Sequence, residues 1–194
     1  MKLPRVNSLR LVALALLALS CGGGKASPGS LNGTIRGESV RVADVISGDV
    51  SSQGQSFGVV MLTDHGSLCD LATRRIVGRS SHYISFSMSD VSGSSSSSPP
   101  AGPGSYTVDN PLQSTRSARS AYLIAEVTDA QCTFVREQMA WGISGTVTLT
   151  KVAAGVYAAT FDVTLNTGEH ITGNFEAAAC AAIGSFGQGS FTCQ

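Results

Sequence analysis

The sequence predicts an all-β fold: an antiparallel β-sandwich or barrel of about eight to ten short strands, with one short helix near residues 68–75. Three observations lead there. Short segments in which polar and apolar residues alternate recur at close spacing. Clusters of Gly, Ser, Asn and Asp separate them. Near the C-terminus, three such segments follow one another through Gly-bearing turns.

Residues 31–38 and 39–46 read as two short strands or one kinked strand, with Gly33 and Gly37 as breaks or bulges. Residues 48–55 are polar and rich in Gly and Ser, which predicts a loop. Residues 57–63 (FGVVMLT) are apolar on both faces, which places them centrally in a sheet. Asp64, His65, Gly66 and Ser67 then turn the chain. Residues 68–75 (LCDLATRR) are helix-compatible, with Ser67 as the cap and Asp70 at the third helical position.

Residues 81–89 alternate, with His82, Ile84, Phe86 and Met88 on one face and Tyr83, Ser85, Ser87 and Ser89 on the other. Residues 92–104 (SGSSSSSPPAGPG) are of low complexity and predict an exposed, disordered loop. A short strand at 105–108 and a polar irregular stretch at 109–119 follow. Residues 120–128 and 132–137 read as strands around a turn at Asp129, Ala130 and Gln131.

The C-terminal meander comprises residues 145–152, 156–165 and 169–177. Phe161, Val163 and Leu165 share one face of the middle segment, and Ile171, Gly173, Phe175 and Ala177 share one face of the last. Asn166, Thr167 and Gly168 form a hairpin loop in which Gly supplies a positive φ. Residues 178–194 are Gly-rich, and an edge strand pinned by a disulfide is expected at 189–193.

The N-terminus has a different character. Lys2, Arg5 and Arg10 precede an apolar run over residues 11–19, too short to span a bilayer as a stable helix. Ala18, Leu19 and Ser20 lead into Cys21. This ALSC sequence resembles the lipobox of bacterial lipoproteins, departing from the commonest form in having Ala18 where leucine is usual. The resemblance implies that the signal is cut before Cys21 and that Cys21 is acylated. The other reading is an ordinary secretory signal cut near Ser20 or Gly24, with Cys21 incidental. Gly22, rather than aspartate, follows the cysteine, and by the same resemblance this favours the outer membrane. The expected organisation is a signal at 1–20, a lipidated flexible tether at 21–30 and a single β-domain at 31–194. The meander and its cysteine, residues 143–180, resemble the C-terminal block of uncharacterised bacterial lipoproteins, and residues 57–70 do so more loosely. That resemblance implies fold and location only.

Removing residues 1–20 leaves 174 residues, enough for one domain with a sizeable core. It also removes three of thirteen basic residues and no acidic ones, so the remainder carries a net charge of −3. With no basic patch, nucleic acid is not an expected partner; the membrane, reached through the lipid, is. Charged residues make up only 13% of the chain, so the surface is expected to be built from Ser, Thr, Gly and Asn. With Cys21 assigned to lipid, Cys69, Cys132, Cys180 and Cys193 form an even set of disulfide candidates with three possible connectivities. The favoured pairing is Cys180 with Cys193 and Cys69 with Cys132; a pairing of Cys69 with Cys180 is nearly as good. No CxxC pair or His/Cys cluster points to zinc.

No residue is assigned a catalytic, metal-binding or cofactor-binding role. His65 beside Asp64, Ser67 and Asp70 has the residue types of a hydrolytic triad, but no GxSxG elbow accompanies it, and turn residues more often bond local backbone. His82 reads as a satisfied, partly buried histidine, and His170 as a solvated strand residue beside Thr172, Asn174 and Glu176. His170 and Glu176 lie about 20 Å apart along an extended strand, too far to share a metal. Scattered aspartates form no calcium loop, and Gly184 to Gly189 form no phosphate loop. Arg74, Arg75 and Arg79 read as solvated charges, and Trp141 as a core or closing residue. The expected function is that of a membrane-anchored, exported, non-enzymatic β-domain with a structural or interaction role. The alternatives are a barrel binding a small lipid-like ligand in its interior and, behind it, a hydrolase.

Overall fold

Alternating side chains with one apolar face can be buried only by pairing strands into a sheet and folding that face inward. A computed structural model describes residues 28–52, 54–91, 96–100, 102–186 and 190–194 and shows this arrangement. The expected signal segment, Cys21 and most of the expected tether lie outside the described residues, as do residues 92–95 of the Ser-rich stretch, where an exposed, disordered loop is expected, and residues 187–189.

The elements in chain order are β1 (Gly29–Asn32), β2 (Asp44–Ser52), β3 (Gln55–Thr63), α1 (Leu68–Arg74), β4 (Ile76–Val77), β5 (His82–Asp90) and β6 (Gly104–Val108). They continue with β7 (Arg119–Val127), β8 (Ala140–Ala153), β9 (Val156–Leu165), β10 (His170–Glu176), β11 (Ala178–Ala179) and β12 (Thr192–Cys193). The fold is all-β, with α1 where the sequence places it. Among the described residues, ten strands form one sheet in the order β1-β10-β9-β8-β6-β7-β5-β3-β2-β11. Most neighbours are antiparallel, but β6 with β7 and β11 with β2 are parallel, as is the separate pair β12 with β4.

The sheet curls. Glu176 ends β10 near one edge, and two residues later Ala178 opens β11 at the other, paired with Ile46 of β2. The Ser47 hydroxyl donates to the Gly155 carbonyl at 2.8 Å, and the Tyr157 hydroxyl donates to Asp49, so the β8–β9 turn also reaches β2 across the seam. Two register shifts in β8, near Gly142–Ser144 and Leu149–Lys151, bend that long strand, as bulges do.

The inside of the curl is filled. Phe86, Phe161 and Phe175 meet there with ring centroids 5.1–6.4 Å apart, among fully buried Tyr106, Leu123, Leu149, Val163 and Ile171. A second cluster lies on the outer face of β2, β3 and β5. Ile46, Val59, Met61 and Tyr83 pack there against Leu68 and Ala72 of α1 and against Ile183 of the 3-10 helix Ala181–Ser185. The apolar character of both faces of β3 is thereby explained: Val60 and Leu62 face the first cluster, Val59 and Met61 the second.

Two disulfides hold the outer layer. Cys69 of α1 joins Cys180, and Cys132 of the β7–β8 connection joins Cys193 of β12. This is the second-choice pairing. Short loops favour Cys180 with Cys193, but β11 places Cys180 beside α1, and β12 carries Cys193 to the β7–β8 connection.

Other differences have local causes. Residues 48–52 are strand rather than loop, because each pairs with β3 through backbone groups that do not require apolar side chains. Gly29 and Ser30, placed in the tether, begin β1. Residues 39–43 are not strand; the chain makes an isolated Ile35–Glu38 bridge and then runs on to β2. Residues 132–137 are not a strand: Cys132 sits at φ 61°, and Arg136–Gln138 form a 3-10 turn. Within the Ser-rich stretch, Ser98 pairs with Asp90 and Ser97 is buried, so that part lies on the protein rather than in solvent. Trp141 is half-buried outside both clusters; its backbone exchanges hydrogen bonds with Asn166 at the β9–β10 turn.

Candidate functional site

Outward-facing residues of β3, β5 and β7 set the floor of a groove. Phe57, Val59 and Met61 from β3 lie beside Tyr83, Ser85 and Ser87 from β5 and Glu126 from β7. The serines are the reason for the hollow: between large side chains they leave space that a leucine would fill. Phe134 from the β7–β8 connection and Ile183, Phe186 and Phe191 from the C-terminal segment form the walls. The groove measures about 610 Å³, within the roughly 300–1,000 Å³ usual for small-molecule sites.

Its aromatic side is continuous. The Tyr83 ring lies 5.9 Å from Phe134 and 5.5 Å from Phe186, which lies 5.3 Å from Phe191. The Tyr83 hydroxyl is engaged, accepting the Gly78 amide at 2.8 Å. Glu126 stands directly across the β5–β7 ladder from Tyr83. Burial alone raises its carboxyl above the ordinary value. Among the described residues it has no hydrogen-bond or ion-pair partner, and it is the one acidic or basic side chain lining the groove.

A second hollow, about 410 Å³, lies on the outer face of β8, β9, β10 and β1. Thr146, Thr148, Thr160, Thr172, Asn174 and Asp162 line it, the continuation of the outward phase of the meander. It offers hydroxyls and amides but little apolar surface.

The histidines fall out differently from one another. No hydrogen bond joins the His65 ring to a serine hydroxyl among the described residues; Ser81, whose hydroxyl is near, donates to the Arg79 carbonyl. Asp64 serves His82 instead. His82 Nδ1 lies 2.8 Å from Asp64 Oδ2, and Nε2 lies 3.1 Å from Glu38 Oε2. The Asp64 hydrogen bond raises the imidazole above its ordinary value of 6.5 against the opposing effect of burial. Burial acts to raise Asp64, but the hydrogen bonds and charge of His82 outweigh it and hold the carboxyl low. With both ring nitrogens engaged, His82 acts as a clasp that ties residues 35–42 and the turn after β3 to β5. His170 is exposed and pairs with Asp162 at 2.7 Å. Arg74, Arg75 and Arg79 are exposed. Among the described residues no group of three His, Cys, Asp or Glu is placed to hold a metal.

The groove escaped the sequence reading because its parts lie far apart in the chain. One signal was available: FGVVMLT is apolar on both faces, so something must cover its outer side, and Phe186 and Phe191 near Cys193 were the aromatic candidates.

Comparison of the chain with protein-family models, curated proteins and solved structures finds no match.

Proposed function

We propose that this chain is an exported β-domain anchored to a membrane through acylated Cys21, acting by binding rather than by catalysis. One observation carries the reading: Cys69, Cys132, Cys180 and Cys193 pair with one another, which leaves Cys21 as the one cysteine available to lipid. Disulfides persist in oxidising compartments, in keeping with export. The ALSC sequence resembles a lipobox, and Gly22 rather than aspartate after Cys21 favours the outer membrane. Several acyl chains, each contributing about 0.8 kcal/mol per buried methylene, would make the attachment effectively permanent. Labelling cells with a radioactive fatty acid and comparing wild type with Cys21→Ala tests the anchor. Label on the wild type alone is expected; equal labelling of both contradicts it.

The outer groove favours a second reading alongside the first, a small apolar ligand as the bound partner. The interior expected to hold such a ligand is filled by Phe86, Phe161 and Phe175, so the ligand reading moves to the outer face under the C-terminal segment. Displacement of an environment-sensitive apolar dye, lost in Phe191→Ser and Phe57→Ser, is the expected behaviour. Dye binding unchanged in both variants would remove the groove from the account.

A further inference from the structure

Resting on the binding role of the outer groove, the geometry points to a particular class of ligand. Phe57, Tyr83, Phe134, Phe186 and Phe191 surround a space into which one carboxyl group, that of Glu126, is set without a partner among the described residues. We propose that the groove binds an amphiphile with a cationic, amine-type head group, the cation held between Glu126 and the half-buried Phe134 ring and the apolar body lying along Phe57, Phe186 and Phe191.

The charge argument is direct. A carboxylate half-removed from water and left unpaired is costly, and a ligand cation would restore what burial takes away. Electron-rich ring faces attract the same cations, and aromatic enclosures with an acidic residue suit alkylammonium groups. Tyr83, itself buried, sits directly opposite Glu126 on the ladder and packs against Phe134 at 5.9 Å, so the Phe134 ring and the carboxyl act on one region. Among the described residues no lysine, arginine or histidine lines the groove, so none of them competes for Glu126 or recruits an anionic head group. An anionic amphiphile would bring a second negative charge to a desolvated site. A neutral one would leave Glu126 as it is.

Three probes with one tail separate the possibilities: octyltrimethylammonium, 1-octanol and octyl sulfate, each titrated calorimetrically into the disulfide-bonded protein below micelle formation. The expected order is cation, then alcohol, then sulfate, with the cation about tenfold tighter than the alcohol. Glu126→Gln keeps the side-chain shape and removes the charge. It is expected to bring the cation down to the affinity of the alcohol while leaving the alcohol unchanged. If all three probes bind equally and Glu126→Gln changes nothing, the cation inference is overturned and the groove stands as a plain apolar site. If none binds, the groove reading itself falls. Thermal unfolding of the variant checks that it is folded, and Phe134→Leu, which keeps the apolar volume and removes the ring, is expected to weaken the cation selectively.

Discussion

The Asp44 carboxylate accepts the Leu68 amide at 2.7 Å, so a residue at the start of β2 caps α1 from twenty-four positions upstream. The neighbouring serine does not. Ser67 sits at φ 62°, and its side chain makes no capping bond. Local sequence points to Ser67 because capping residues normally adjoin their helix. Here the β3–α1 turn brings the helix start back to β2. Asp44→Ala is expected to cost about 1 kcal/mol in chemical unfolding, Asp44→Asn less, and Ser67→Ala little.

Non-reducing peptide mapping is expected to recover Cys69 with Cys180 and Cys132 with Cys193. The bridges close separations of 111 and 61 residues. Replacing either pair by serine should cost about 4–5 kcal/mol on the chain-entropy account. It should also loosen the C-terminal wall of the groove, so dye binding should weaken together with stability. A Cys180–Cys193 peptide would show that the outer layer is joined differently.

The His82 clasp gives stability a definite pH dependence. The folded imidazole titrates above its ordinary 6.5, so its contribution is complete below that value and is lost as pH rises through the folded value. Asp64, held low, contributes above its ordinary 3.8 and loses that contribution in acid. Wild type should therefore exceed His82→Gln most in thermal unfolding near about pH 5 and least near about pH 9. A difference that grows with pH would contradict the charged clasp.

Glu169 is the corresponding anchor for the N-terminal segment. Its carboxylate accepts the Arg36 and Gly37 amides, both at 2.7 Å, and the hydroxyls of Thr34 at 2.8 Å and Thr167 at 2.7 Å. Burial is the largest single influence and works against the charge, but these four donors together outweigh it and take the carboxyl down to about 2 from 4.5. Its contribution is complete above 4.5 and is lost as pH falls toward about 2. The stability gap between wild type and Glu169→Gln should be open near about pH 6 and closed near about pH 2.

Gly173 shows how tightly β1 is held. A Cβ there would run into the Ser30 carbonyl and the Phe161 ring. Gly173→Ala should cost about 3 kcal/mol and release β1, seen as faster amide exchange at Leu31.

How much of this was legible depended on the range of the interactions. β9 was readable to the residue, because Phe161, Val163 and Leu165 alternate with Thr160, Asp162 and Thr164 and the Gly155 and Gly168 turns flank it. The second half of β2 was not, since Gly48, Asp49, Ser51 and Ser52 carry a turn-like composition and only their ladder with β3 makes them strand. The His82 environment was half legible: a satisfied histidine could be expected, but its partners Asp64 and Glu38 lie 18 and 44 residues away. The groove was hidden for the same reason. Ser85 and Ser87 were legible only as one face of an alternating strand and Glu126 carried no local signal; the two disulfides bring Phe134, Phe186 and Phe191 over them.

The anchored β-domain account is tested most directly by mass spectrometry of the protein extracted from membranes and digested without reduction. The account predicts an N-terminal peptide that begins at Cys21 and carries acyl mass, together with the Cys69–Cys180 and Cys132–Cys193 cross-links. An N-terminus elsewhere, or an unmodified Cys21 thiol in the mature protein, would contradict it.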